Sequence, residues 1–149
     1  MMTRILIIGY GNPIRGDDAI GPLVADQLSQ CALPPGVKVI ARHILTAELI
    51  AEFAELEQVI FLDAAINGIP GTVQCQCVTA EVFPPVVLGH FQTPTELLAW
   101  CAALYGRTPQ AWLITAVGAE FNYMHYQLSP QAQAAVNPMI AEVMALLNK

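Results

Sequence analysis

The sequence is poor in charge: only 12% of its 149 residues are Asp, Glu, Lys or Arg, and acidic residues outnumber basic ones twelve to six. The resulting net charge of −6 leaves no broad basic surface for nucleic acid or anionic membranes, so we expect neither as a partner. No apolar run reaches the length of a membrane span, and the run after the amino terminus is too short for a signal peptide. These absences predict a chain that is not exported.

Residues that act as nucleophiles in hydrolases are also scarce. The sequence contains two serines, Ser29 and Ser129, and neither lies in a Gly-x-Ser-x-Gly motif, so we do not expect a serine triad. The cysteines form no Cys-x-x-Cys pair, and we interpret all four as structural residues: Cys31, Cys75, Cys77 and Cys101.

The sequence does contain a regular alternation of apolar segments. Five β-branched runs predict strands at residues 4–8, 37–43, 59–62, 72–78 and 112–117. Four amphipathic stretches predict helices at residues 20–31, 47–56, 95–105 and 131–147. Without linkers or repeats between these elements, residues 1–149 are expected to form a single domain.

The order of the elements predicts an α/β fold. Strands alternate with helices at the front of the chain, which favours right-handed crossovers and a parallel sheet. The segment between Asp63 and the fourth strand is too short for a crossover, so that strand should be antiparallel and at an edge. We therefore expect a three-layer domain, with a mostly parallel, five-stranded twisted sheet, one antiparallel edge strand and helices on both faces.

Helix starts carry recognisable capping residues. Thr93, followed by Pro94 and Glu96, predicts a capping box, and Ser129 before a proline predicts a second cap. Thr46 satisfies only the cap preference and is a weaker signal.

The first predicted strand leads into a glycine-rich turn, Gly-Tyr-Gly-Asn-Pro-Ile-Arg-Gly-Asp-Asp, at residues 9–18. Its glycine spacing is GxGxxxxG, whereas a dinucleotide-binding fingerprint requires GxGxxG. Asp17 and Asp18 also stand where a pyrophosphate would need hydrogen-bond donors, so they repel phosphate and favour a cation. The alternative is that both carboxylates simply stabilise the following helix.

Two further residues are candidates to join these carboxylates. Asp63 ends an apolar strand, and in a sheet of order 2-1-3 it would converge with Asp17 or Asp18 at one crevice. His90 lies in a Pro- and Gly-flanked loop. Two carboxylates and an imidazole suit a borderline divalent ion such as nickel or zinc, although Asp63 alone is equally consistent with a turn residue. The other two histidines have no carboxylate placed to converge with them and are interpreted as packing or surface residues: His43 and His125.

These segments together resemble the hydrogenase maturation endopeptidases. The resemblance is carried by the motif at residues 9–12, the acidic pair with its following Ala-Ile-Gly, Asp63-Ala64 after a strand, and His90 ahead of a Leu-Leu pair. It extends over nearly the whole chain and includes the Leu-Ser-Pro that opens the last helix. Two positions depart from the common pattern, because Asp18 replaces the glutamate of some members and Ala19 replaces a frequent glycine.

The resemblance implies a specific activity. Such enzymes are cytoplasmic peptidases that remove a carboxy-terminal extension from the precursor of a nickel-iron hydrogenase large subunit, after nickel has been inserted. They recognise nickel held by the substrate, so no tightly bound cofactor of their own is expected, and we expect a monomer. Matched by position, the metal-contacting and catalytic residues are Asp18, Asp63 and His90, while Asp17 either steadies the loop or accepts a proton. A nickel-binding accessory or delivery protein without peptidase activity is the alternative, and a nucleotide-binding enzyme is a further one.

Overall fold

The elements of the fold are defined by a computed structural model that describes residues 4–80 and 92–149. The strands are β1 (Ile5–Tyr10), β2 (Val37–Arg42), β3 (Gln58–Ala65), β4 (Val73–Val78) and β5 (Gln110–Val117). The helices are α1 (Ile20–Ser29), α2 (Leu49–Phe53), α3 (Pro94–Tyr105) and α4 (Pro130–Leu147). A short 3₁₀ helix, Gly16–Ala19, leads into α1.

The five strands form one sheet in the order β2-β1-β3-β5-β4. The first four in this order run parallel, whereas β4 pairs antiparallel with β5 at the edge. The predicted α/β fold is therefore confirmed, including its antiparallel edge strand. The carboxyl ends of β2, β1 and β3 lie side by side because the strands are parallel, and this edge of the sheet positions the site described below.

Apolar layers cover both faces of the sheet. Neighbouring residues of β1 point to opposite sides: Ile7 packs with α1 and α4, and Leu6 packs with α2 and α3. Both side chains are completely buried. Within the described ranges, no helix is long and apolar enough to cross a membrane.

Two of the three predicted helix caps are confirmed. The Thr93 hydroxyl accepts a hydrogen bond from the Glu96 amide at 3.3 Å, and the Glu96 carboxylate accepts one from the Thr93 amide at 3.0 Å, which completes a capping box. Ser129 caps α4 by accepting from the Ala132 amide at 3.1 Å. The Thr46 cap is wrong, since α2 begins after Glu48 without a side-chain cap.

Other details of the prediction also need correction. Asp63 lies inside β3 rather than at its end, because pairing with β5 continues as far as Ala65. The helix α2 is five residues long, half the predicted length. Two cysteines pack as expected, Cys101 being buried and Cys75 partly buried against the core, but the other two are exposed and packing does not explain them: Cys31 and Cys77.

Candidate active site

The loop after β1 folds back so that its second aspartate is held by backbone. The Asp18 carboxylate accepts a hydrogen bond from the Asn12 amide at 2.8 Å. Gly11 makes this path possible, because it has a φ of +148° and a Cβ there would lie 2.0 Å from the Asp18 carbonyl oxygen. Only glycine fits, so the glycine of the sequence motif shapes the loop around a carboxylate instead of a phosphate.

Asp17 points away from Asp18 into the protein and is completely buried. Its carboxylate accepts four hydrogen bonds: from the Ser129 amide and hydroxyl, both at 2.7 Å, and from the amides of Ala119 at 2.7 Å and Glu120 at 3.0 Å. Desolvation opposes ionisation of Asp17, but these bonds outweigh it and hold its pKa below the ordinary value. This arrangement supports a role in steadying the loop.

The residues of the predicted crevice surround an open cavity of about 270 Å³. It is lined by Tyr10, Gly11, Asp18, His43, Ile44, Leu45, Asp63 and Gln92. The Asp18 carboxylate reaches it from the loop after β1, and the Asp63 carboxylate reaches it from within β3, level with the carboxyl end of β1, as the strand order 2-1-3 predicts. Of the two loop aspartates that could converge with Asp63, the structure brings Asp18 to the cavity and turns Asp17 away from it.

The environment of Asp63 favours its neutral form. Desolvation raises the pKa of this carboxyl to about 7, and the nearby charge of Asp18 acts in the same direction. Hydrogen bonds from the Ala64 amide, at 2.7 Å, and from Tyr10 oppose the increase without cancelling it. A divalent cation in the cavity would favour the ionised form and relieve this electrostatic cost.

Tyr10, which the sequence prediction missed, lines the same cavity and donates a hydrogen bond to the Asp63 carboxylate. Its ring packs edge-on against Phe61, with centroids 6.4 Å apart and planes at 89°. Burial and the charges of Asp63 and Asp18 raise the pKa of the Tyr10 hydroxyl, so it remains a hydrogen-bond donor. Its position as the last residue of a strand beside Asp63's strand was the available signal.

The three histidines differ in their position relative to the cavity. His43 follows β2 and lines the cavity, so the prediction that no carboxylate converges with it is wrong; the carboxyl ends of β2 and β1 are adjacent. His90 lies outside the described residues. His125 is exposed beside Arg15, as expected for a surface residue. In residues 4–80 and 92–149, no three His, Cys, Asp or Glu side chains are grouped closely enough to hold a metal ion.

Comparisons with known proteins agree with the sequence motifs. No family model matches the chain. The chain is 26% identical over 153 residues to the hydrogenase 2 maturation protease of Escherichia coli (strain K12), covering 98% of this chain and 92% of that relative.

Solved structures share the fold across the whole chain. The hydrogenase maturating endopeptidase HybD from Escherichia coli superposes with a TM-score of 0.78 at 24% identity, covering 98% of this chain and 93% of that one. The [NiFe] hydrogenase maturation protease HycI from Thermococcus kodakarensis superposes with a TM-score of 0.75 at 22% identity, covering 99% and 94%. The resemblance indicated by the motifs is therefore confirmed.

Proposed function

We propose that this relative of the hydrogenase maturation endopeptidases removes the carboxy-terminal extension of a nickel-iron hydrogenase large-subunit precursor after nickel insertion. The proposal rests on one observation: Asp18 and Asp63 come from separate parts of the chain and line the same open cavity at the carboxyl ends of β1 and β3. The 26% identity with a maturation protease over 98% of the chain supports the reaction class.

The chemistry of the cavity suits recognition of a metal ion that arrives with the substrate. Carboxylate oxygens bind borderline divalent ions. A partly desolvated carboxylate is stabilised more by a nearby cation than an exposed one is, because water stabilises its charge less. Asp63, with a pKa of about 7, carries an incomplete charge near neutral pH until such an ion is present. The cavity therefore binds a nickel-loaded precursor more strongly than an empty one.

His90 completes the proposed set of ligands. Its position lies outside the described residues, but Gln92, two positions later in the sequence, lines the cavity. An imidazole nitrogen alongside two carboxylates is a donor set that nickel accepts. Asp17 is assigned to steadying the loop, since its four hydrogen bonds occupy it away from the cavity.

Cleavage then depends on the position of the bound precursor. Contact between the substrate's nickel and the two carboxylates holds the scissile peptide next to the cavity, and the ion polarises the carbonyl or a nearby water. Water adds to the carbonyl carbon and gives up a proton, the carbon–nitrogen bond breaks, and the leaving amine takes up a proton, so that no net proton is consumed. Asp63 contacts the nickel in its ionised form, so its pKa of about 7 in the empty cavity weakens binding of the loaded precursor as the pH falls. We place this reaction in the cytoplasm and assign it to a monomer.

A processing assay tests the proposal. Purified precursor, loaded with nickel or nickel-free, is incubated with the wild-type protein, Asp18→Asn, Asp63→Asn, His90→Ala or the surface control Asp26→Asn. Mass spectrometry should show loss of the carboxy-terminal segment only from the loaded precursor, with the wild-type protein and the control. Nickel-dependent binding with an unchanged precursor mass would instead support the accessory or delivery protein.

A further inference from the structure

An exposed apolar tip projects from the segment between β5 and α4. Tyr123, Met124 and Tyr126 are each 67% exposed, although large apolar side chains of this kind are usually at least half buried. Together with His125 they form what we call the aromatic tip. Exposed Tyr and Met side chains that cluster in four residues are typical of surfaces that bind other proteins.

The aromatic tip is held in a defined position. The Arg15 guanidinium lies 5.5 Å from the ring centroids of both Phe121 and Tyr123, and its Nε donates to the Phe121 carbonyl at 3.1 Å. The His125 carbonyl accepts from the Gly16 amide at 2.9 Å. Because these contacts already order the tip, a partner binding there loses little further conformational entropy.

Met124 shows that this exposure has a conformational cost. Among the described residues it is the single non-glycine residue with a positive φ, at 61°. Such a conformation is strained for a residue with a side chain, and strained residues concentrate at functional positions. The Met124 side chain is exposed, so burial within the protein does not offset the free-energy cost of its backbone conformation.

A groove of about 450 Å³ runs beside the tip, between the amino-terminal ends of α1 and α4. Its lining includes Ala19, Leu23, Tyr126, Leu128 and Pro130. Ala19 of this lining directly follows Asp18 of the acidic cavity, so both are bordered by the same short segment of chain. A protein seated in the groove would be next to the site of cleavage.

We propose that the aromatic tip and this groove bind the folded body of the large-subunit precursor, while its carboxy-terminal segment enters the cavity of Asp18 and Asp63. This inference rests on the proposed function, and it adds a second contact that is independent of nickel. A folded body presenting apolar surface fits better than another copy of the chain, because each copy carries a net charge of −6 and would repel the other.

Steady-state processing of nickel-loaded precursor tests this surface with the full-length Tyr123→Ser/Tyr126→Ser variant. We expect KM to increase about thirtyfold, as for the loss of one interface hot spot, with kcat unchanged. The single variant Tyr126→Ser leaves the stacking of Arg15 and Tyr123 intact and should increase KM about fivefold. Binding of nickel-free precursor, measured by calorimetry, should weaken in parallel because this contact does not need the metal.

The matched control is Leu104→Ser/Tyr105→Ser, whose side chains are 60% and 51% exposed at the end of α3. They lie close in sequence to the amino-terminal end of β5, whereas the aromatic tip follows its carboxyl end. It should leave KM unchanged. A double tip variant with wild-type KM, or one that loses kcat while KM is kept, overturns the inference. So does a wild-type dimer that dissociates in the tip variant while KM stays constant. If the wild-type protein cleaves nothing, the proposed function fails, and equal precursor binding by the wild-type protein and the tip variant then overturns the docking inference separately.

Discussion

Substitution of Asp63 by Asn should stabilise the protein at neutral and alkaline pH while abolishing precursor processing. The two side chains have nearly the same shape, and the oxygen that accepts from the Ala64 amide is retained. What disappears is a carboxylate that is partly desolvated and faces the charge of Asp18. The charge destabilises the native fold but is needed for processing. Its removal should therefore increase the free energy of unfolding and abolish activity at the same time.

The expected magnitude follows from the shifted pKa. An increase from 3.8 to about 7 means that the unfolded chain releases its proton at lower pH than the folded chain. Ionised Asp63 therefore lowers the free energy of unfolding progressively as pH rises from about 4 to about 7, and the loss is complete above that. At 1.36 kcal/mol per pKa unit the full cost is roughly 4 kcal/mol, which solvent screening at a partly buried site reduces to about 2.

Urea unfolding at pH 4.5 and pH 8 measures this difference. The free energy of unfolding of Asp63→Asn relative to the wild-type protein should increase by about 2 kcal/mol between the two pH values. The control Asp26→Asn, on the exposed face of α1, should show no such pH dependence. An Asp63→Asn effect that is equal at both pH values, or a loss of stability at pH 8, would refute the assignment of a desolvated carboxylate.

The remaining predictions concern the loop after β1 and the hydrogen bond from Tyr10 to Asp63. Asp17→Asn should lower the free energy of unfolding, measured in urea, by about 2–4 kcal/mol, because its amide nitrogen would face buried hydrogen-bond donors. Asp18→Asn should lower the free energy of unfolding by less than about 1 kcal/mol and yet block processing. Gly11→Ala should abolish processing through its clash with the Asp18 carbonyl, while Gly106→Ala, which meets nothing within 4 Å, should cost only about 1 kcal/mol in thermal melts and leave processing intact. Tyr10→Phe keeps the packing but removes a hydrogen bond that lowers the Asp63 pKa, so the acidic limb of the pH–rate profile should move to higher pH.

The sequence was sufficient to predict the arrangement of the sheet because that arrangement depends on local patterns. Alternation of strands and helices determines a parallel sheet, and the short connection after β3 determines the antiparallel β4. The length of β3 was not predictable in the same way. Ala64 and Ala65 are weak strand formers, and pairing with Ala116 and Val117 of β5 extends the strand through them.

The cavity could be predicted only in part for a related reason. Parallel strands bring their carboxyl ends together, so the convergence of Asp18 and Asp63 follows from strand order. His43 obeys the same rule and was missed because the second strand was predicted to include it, whereas β2 ends one residue earlier and leaves His43 in the loop at the cavity. The pKa of Asp63 depends on desolvation and on Tyr10, which are properties of tertiary packing that no spacing in the sequence reveals.

Asp17 and Asp18 show most clearly where sequence information ends. A 3₁₀ helix has three residues per turn, so adjacent side chains point about 120° apart and one carboxylate can face the cavity while the other enters the interior. Which one is buried depends on Ser129, 112 positions away, whose amide and hydroxyl both donate to Asp17. Since the same hydroxyl caps α4, this contact fixes the loop of Asp18 to the start of the last helix. The position of Asp18 in the cavity therefore depends on α4, a helix at the other end of the chain. A substitution that removes the Ser129 hydroxyl should displace Asp18 although Ser129 does not line the cavity.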